Sequence, residues 1–282
     1  MHDHNETLRE ALARNVRDAL FEDIGRGDWT AQLVPAGRRV RARVVAKQAA
    51  VICGRPWFDA CVRALDAHAQ VDWPLAEGAE VVAGDEVCVI QSDARALLSA
   101  ERPALNFLQT LSATATLTRQ YVQAIAGTSA KVLDTRKTTP GLRHLEKYAV
   151  RCGRGRNHRM DLSAMAMLKD NHLAAVGGDI VAAVAAVRAT MPDDTWVEVE
   201  TDRIEQVERA IESGANVIML DNMSLDMMRT CVQLVAGRAI VEASGGVSLD
   251  RVRSIAETGV DWISVGALTH SAPALDLGLD FA

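Results

Sequence analysis

The run Asp134-Thr135-Arg136-Lys137-Thr138-Thr139-Pro140-Gly141 sets two cations beside hydroxyl groups at a turn that Pro-Gly enforces. Arginine offers a planar fork that fits carboxylate or phosphate, and lysine offers a point charge, so this segment is suited to hold an anion. Asn157-His158-Arg159 and Lys169-Asp170-Asn171-His172 add further donors, and Lys169 follows an apolar run that would bury it unless something anionic faced it. Residues 131–172 hold ten Lys or Arg against four acids, a net of +6 in a chain of −6, which leaves −12 on the remainder. Basic charge concentrated in one stretch of an acidic protein points to a local anion site. A solvated basic face or an RNA patch is the alternative, but Tyr148 is the only aromatic residue there to stack on bases. General nucleic-acid affinity is not expected of the chain.

Two further runs, Val197-Glu198-Val199-Glu200 and Ile218-Met219-Leu220-Asp221-Asn222, end in carboxylates. In a strand, alternation puts Glu198 and Glu200 on one face and Val197 and Val199 on the other. Carboxylates beside phosphate-binding cations can hold Mg²⁺, sugar hydroxyls or, in an empty site, the cations themselves. Ser244-Gly245-Gly246 and Gly266-Ala267-Leu268-Thr269-His270-Ser271 each follow a strand pattern and open a helix. Their backbone N–H groups can approach a phosphate closely, assisted by the helix dipole.

The elements that must carry these residues alternate regularly after Gly127. Candidate strands are 131–135, 164–168, 196–200, 216–221, 239–243 and 261–265, and helix-period residues fill 203–212, 225–235 and 249–257. The polar or glycine ends Glu200, Asp221, Ser244 and Gly266 recur at spacings of 21, 23 and 22, a βα period that predicts a parallel sheet with helical crossovers. About 150 residues cannot hold the ~250 of an eight-unit barrel, so six or seven units are expected. Chemical residues at the ends of several successive strands favour an incomplete α/β barrel over an open sheet. Ahead of it, a small α/β unit is predicted. Thr7-x-x-Glu10 opens a helix to about Phe21; Val40, Ala42 and Val44 alternate as a strand; Pro56 starts a helix with Trp57, Cys61 and Leu65 inward. Val81-Val82, Gly84-Asp85 and 87–90 suggest strand, turn and strand, and 94–126 two helices or one kinked at Pro103.

At 282 residues, with 49% hydrophobic and 24% charged residues, the composition excludes disordered and collagen-like chains. The longest apolar run, 180–187, is far below a membrane span, and Asp3, Glu6 and Glu10 stand where a signal peptide would be apolar. A soluble cytoplasmic protein is expected, free of membrane. Five widely spaced cysteines without a C-x-x-C pair are expected as mostly buried reduced thiols, neither a disulfide framework nor structural zinc.

Taken together, Phe21-Glu22-Asp23-Ile24-Gly25, Glu101-Arg102-Pro103-Ala104-Leu105-Asn106, the 134–150 run, Asn157-His158-Arg159, Lys169-Asp170-Asn171-His172, 197–200, 220–222, 243–246 and 265–271 resemble the quinolinate phosphoribosyltransferase family in order and spacing, across nearly the whole chain. The resemblance implies an N-terminal α/β sandwich domain over 1–112, rejoined by 272–282, and a barrel over 113–271 that carries the active site. It implies Mg²⁺ and a homodimer or higher oligomer with shared sites. The implied reaction joins quinolinate to phosphoribosyl pyrophosphate, giving nicotinate mononucleotide, pyrophosphate and CO₂ in de novo NAD biosynthesis. Position by position, Arg102, Arg136, His158 and Arg159 resemble the quinolinate-carboxylate clamp, Arg102 reaching in from a partner chain. Lys137 and Lys169 resemble the cations at the pyrophosphate and reacting centre, Glu200 and Asp221 the acids at ribose and metal. Ser244, Gly245, Gly246, Gly266 and His270 resemble the 5′-phosphate cradle. The family pattern has glycines where this chain has Gly153-Arg154-Gly155, and Gly and Asp in place of Asp161 and Ala164. A phosphoribosyltransferase for nicotinate and a non-enzymatic molybdate-transport-associated homologue are the competing readings. The second would be expected to lose part of the Asn-His-Arg or Lys-Asp-Asn-His set, which this chain keeps.

Overall fold

Thr7 caps the first helix of the computed structural model, which describes residues 5–281. Its hydroxyl accepts the Glu10 N–H while the Glu10 carboxylate accepts the Thr7 N–H, the capping box expected from the sequence. This helix, α1, runs Leu8–Ile24, three residues past the predicted end, because the chain turns only at Gly25. After it come strands β1 (Arg39–Ala46) and β2 (Ala50–Val51), helix α2 (Arg55–Leu65), strands β3 (Gln70–Asp72), β4 (Glu80–Val81) and β5 (Glu86–Asp93), and helix α3 (Ala94–Ala124). Then follow β6 (Lys131–Leu133), α4 (Arg143–Cys152), β7 (Ala166–Leu168), α5 (Asp170–Ala175), α6 (Ile180–Arg188), β8 (Val197–Thr201), α7 (Ile204–Glu212), β9 (Val217–Asp221), α8 (Leu225–Val235), β10 (Ile240–Ser244), α9 (Val252–Ala256), β11 (Trp262–Ser264), α10 (Ala267–His270) and β12 (Leu277–Phe281).

The chain divides into two compact units. The first joins residues 1–119 to 139–154 and 271–282. Its antiparallel sheet has the order β12-β1-β5-β3, with Ala42 opposite Phe281 and Ala46 opposite Leu277, so the last strand of the chain pairs with its first. Strand β4 pairs with β2, not with β5 as the strand-turn-strand pattern suggested. The alternation at β1 holds, Ala42 and Val44 buried and Arg41 and Arg43 exposed. On α2 the buried side is Trp57, Phe58, Cys61 and Val62; Leu65 shares that side but is exposed, because it is the last residue of the helix, where the chain leaves the layer that covers the stripe. Pro103 lies inside α3 without breaking it. Leu97, Ala100, Ala104, Leu105, Leu108 and Leu111 are all buried along one side, and that burial outweighs the local penalty of proline.

Gln120–Thr138 and Gly155–His270 make the second unit. Its six strands are parallel in the order β6-β11-β10-β9-β8-β7, so the first strand pairs with the last and the opening falls beside the second. Arg156 itself bridges in parallel to Leu133, beside β6. Val197 and Val199 are fully buried on one face of β8, with Glu198 and Glu200 on the other, as alternation requires. Side chains from the ends of all six strands converge on one cavity, which a flat sheet could not arrange and an incomplete α/β barrel does. No disulfide forms among the described cysteines; four are buried and Cys152 is half-buried. No helix among the described residues is long and apolar enough to cross a membrane.

Candidate active site

The cavity lies at the C-terminal ends of the barrel strands and has a volume of about 620 Å³. The turn after β6 supplies Thr135, Arg136 and Lys137, and the 155–159 segment supplies His158 and Arg159. That segment is anchored by Asp134, fully buried, whose carboxylate accepts the His158 N–H at 2.9 Å and an amide N–H of Asn157. Lys169 comes from the end of β7, Glu200 from β8, Asp221 and Asn222 from β9. Ser244, Gly245 and Gly246 close the ring from β10. Gly245 has φ +88°, and a Cβ there would strike the Asn222 side chain, so the Ser-Gly-Gly turn requires glycine for both conformation and space. Next to it in the unit, Gly266 packs its Cα face against Lys137 and His270, where a Cβ would come within 3.1 Å of each. Of the residues expected at the site, all in the second unit therefore gather at this mouth or at its Gly266 turn. Arg102 belongs to the first unit, exposed on α3.

The electrostatics favour anions. Burial and the neighbouring Arg136 charge both lower the pKa of Arg159, the signature of two cations held together. Arg159 itself is braced by donating to the Met165 carbonyl at 2.9 Å. Lys169 Nζ donates to Glu200 Oε2 at 2.7 Å, so two of the expected site residues form an ion pair. Asp221 accepts from the Asn222 amide at 2.8 Å.

Beneath the mouth lies a feature the sequence reading passed over. His158 Nε2 is 3.2 Å from both Glu198 Oε2 and Glu242 Oε2, and both glutamates are wholly buried. Burial works against a charged imidazole, but the two carboxylates outweigh it and raise His158 to about 9. Burial likewise drives Glu198 up, to about 7, against the pull of His158. The Arg159 N–H donates to His158 Nδ1 at 2.8 Å, so Nε2 is the ring nitrogen that faces the two carboxylates. Glu242 was legible in Ile240-Val241-Glu242-Ala243-Ser244, where alternation puts it on the face of Ser244, but one acid in an apolar strand carries no spacing signal.

Two departures from the family pattern also resolve here. Arg154 adopts φ +71°, the left-handed region that glycine occupies without strain. Asp161 accepts the Ser163 and Ala164 N–H groups at 2.8 and 2.9 Å, so its side chain fixes the turn before β7.

Comparison with known proteins agrees with this geometry. Residues 28–112 match the model of the quinolinate phosphoribosyl transferase N-terminal domain, and 114–280 that of its C-terminal domain. A probable nicotinate-nucleotide pyrophosphorylase (carboxylating) of Synechocystis sp. is 46% identical over 263 residues, 92% of this chain and 89% of that protein. The nicotinate-nucleotide pyrophosphorylase (carboxylating) of Mycobacterium leprae is 43% identical over 281 residues, covering 96% and 97%. The solved nicotinate-nucleotide pyrophosphorylase of Francisella tularensis superposes with a TM-score of 0.94 at 36% identity, over 99% of this chain and 100% of that one.

Proposed function

The chain belongs to the quinolinate phosphoribosyl transferase family, and we propose that its barrel cavity moves the phosphoribosyl group of phosphoribosyl pyrophosphate onto quinolinate with loss of CO₂. Nicotinate mononucleotide and pyrophosphate are the other products, and the reaction is a step of de novo NAD biosynthesis. The observation that carries this reading is the pair of mutually repelling guanidinium groups, Arg136 and Arg159, facing one cavity with Lys137 and Lys169. Two carboxylates on adjacent ring carbons relieve that repulsion; a single one does so only in part, which disfavours nicotinate as the substrate.

In this reading Arg136 and Arg159 orient the pyridine ring, and His158 stands under its 2-carboxylate. The Ser244-Gly245-Gly246 and Gly266 turns, with His270, receive the 5′-phosphate. Lys137 and Lys169 meet the pyrophosphate, Lys169 leaving Glu200 to do so. Glu200 is then free to face the ribose with Asp221 as positive charge develops at C1. Glu200 and Asp221 end adjacent strands with half-buried carboxylates, a hard oxygen donor set that fits Mg²⁺. Bound there, Mg²⁺ would neutralise pyrophosphate charge. Once the ring nitrogen is alkylated, the pyridinium draws in the electrons released as the C2–carboxylate bond breaks. The exposed Arg102 on α3 serves a partner subunit's site in a homodimer or larger ring, and reduced thiols suit a cytoplasmic enzyme.

The test is a CO₂-release assay with carboxyl-labelled quinolinate and phosphoribosyl pyrophosphate. CO₂ should appear in step with nicotinate mononucleotide, and nicotinate should be a poor substitute. Equal turnover of nicotinate would overturn the two-carboxylate clamp.

A further inference from the structure

Away from the barrel cavity, two of the five cysteines come together. Cys53 lies in the link between β2 and α2, and Cys152 is the last residue of α4. Their sulfurs and the Glu77 carboxylate lie within 4.8 Å of one another, all inside the first unit. A disulfide holds its sulfurs at ~2 Å, so less than ~3 Å separates this pair from bonding distance.

The backbone around the pair is fixed from one side of α3. Ser112 Oγ accepts the Cys53 N–H at 2.9 Å and donates to the Cys53 carbonyl at 3.1 Å. Arg119, two helical turns further on, donates to the Cys152 carbonyl at 3.3 Å and to those of Gly78 and Gly153. A Cβ on Gly78 would come within 3.2 Å of the Cys152 carbonyl, so the Glu77-Gly78 turn packs directly on the end of α4. Glu77 itself accepts the Gly54 N–H at 2.6 Å, the Arg55 N–H at 3.3 Å and the Tyr148 hydroxyl at 3.0 Å. Its oxygens are thus committed to the start of α2 and to Tyr148, which favours chemistry between the two thiols over a metal ion held by all three groups.

The thiols are not equivalent. Cys53 is wholly buried, and burial above all keeps it protonated, whereas Cys152 is half-buried. The hydrogen bond with Cys53 is the main influence lowering Cys152; burial opposes it, and the Tyr148 hydroxyl, one turn back on α4, adds to it. Tyr148 and Glu77 also line a cavity of about 570 Å³ in the first unit, which brings solvent up to the groups beside the thiols.

We propose that Cys152 and Cys53 form a reversible thiol–disulfide site, in which Cys152 reacts with a hydroperoxide and Cys53 resolves the product. The Cys152 sulfur attacks one peroxide oxygen, the O–O bond breaks, and the leaving oxygen takes up the proton that Cys152 gave away. Cys152 is then a sulfenic acid. The Cys53 sulfur attacks that sulfur, the S–O bond breaks, and the hydroxyl leaves as water with the Cys53 proton. Two thiols lose two electrons and two protons to become one disulfide; hydrogen peroxide gains them and becomes two waters. A dithiol reverses the oxidation by exchange.

Mass spectrometry of the folded protein tests this. After a few equivalents of hydrogen peroxide, unfolding in iodoacetamide and digestion without reductant, two of the five thiols should be lost to alkylation. The peptides carrying Cys53 and Cys152 should appear linked, two hydrogens lighter than their sum, and dithiothreitol should release them. Cys152 should be consumed at least ~10-fold faster than Cys61, which burial holds as a thiol. In Cys53→Ser, Cys152 should proceed to sulfinic acid instead. The proposal is overturned by five thiols still alkylated, by wild-type Cys152 reaching sulfinic acid while Cys53 stays free, or by protection that a chelator removes with no linked peptide. None of these readouts involves quinolinate or phosphoribosyl pyrophosphate, so failure here leaves the barrel reaction untouched.

Discussion

Replacing Lys169 by alanine removes the cation that sits 2.7 Å from Glu200 and, in the proposed reaction, meets the departing pyrophosphate. A unit charge about 4 Å from charge developing in the transition state is worth about 4 kcal/mol at an effective dielectric of about 20. The Lys169 side chain is 41% exposed, so solvent screens part of this. About 3 kcal/mol is left, or a loss of ~10²-fold in kcat, in line with single preorganised electrostatic contacts elsewhere. Steady-state kinetics with both substrates varied, alongside melting curves to confirm folding, would measure it. Lys169→Ala should lower kcat and kcat/KM together, because the interaction is made in the transition state. An unchanged kcat with a raised KM would refute the reasoning and leave Lys169 a simple binding group.

Glu200→Gln and Asp221→Asn should each weaken Mg²⁺ dependence, and the double variant should lose less activity than the product of the single losses, since groups sharing one ion are not additive; multiplicative losses would separate their roles. Mixing inactive Arg102→Ala and Lys169→Ala enzymes under subunit exchange should restore activity, because some mixed oligomers carry an intact shared site; no recovery despite exchange verified by mass spectrometry would return Arg102 to its own chain. Asp66 is pushed up by burial, but bonds from the Asp93 N–H, the Ser92 hydroxyl, the His68 N–H and Arg39 prevail and bring it from 3.8 to about 2. Its folded value lies below the unfolded one, so it adds about 2 kcal/mol that is present above pH ~4 and lost as pH falls towards 2; the gap in melting temperature between wild type and Asp66→Asn should close over that window. Arg154→Gly should stabilise the fold by about 1 kcal/mol in denaturant titration by relieving the positive φ, and a destabilised variant would show that the arginine side chain makes compensating contacts.

Much of this protein follows from chain order alone. The βα period, the strand ends at Glu200, Asp221 and Ser244, and the amphipathic faces of β1 and α1 are consequences of local spacing, and local spacing is what a sequence displays. The anion site was legible for the same reason, because its cations cluster within forty-odd residues. Three features were decided by tertiary packing. The pairing of β12 with β1 and of β4 with β2 joins segments with no shared pattern, and only the registers of the folded sheets select them. The continuity of α3 through Pro103 comes from apolar contacts made along its whole buried side, against local propensity. The trio of His158, Glu198 and Glu242 is spread over 84 positions of sequence, each residue unremarkable in its own segment. Closure of the barrel brings both carboxylates within 3.2 Å of His158 Nε2, where their charge raises the imidazole and the loss of water raises Glu198.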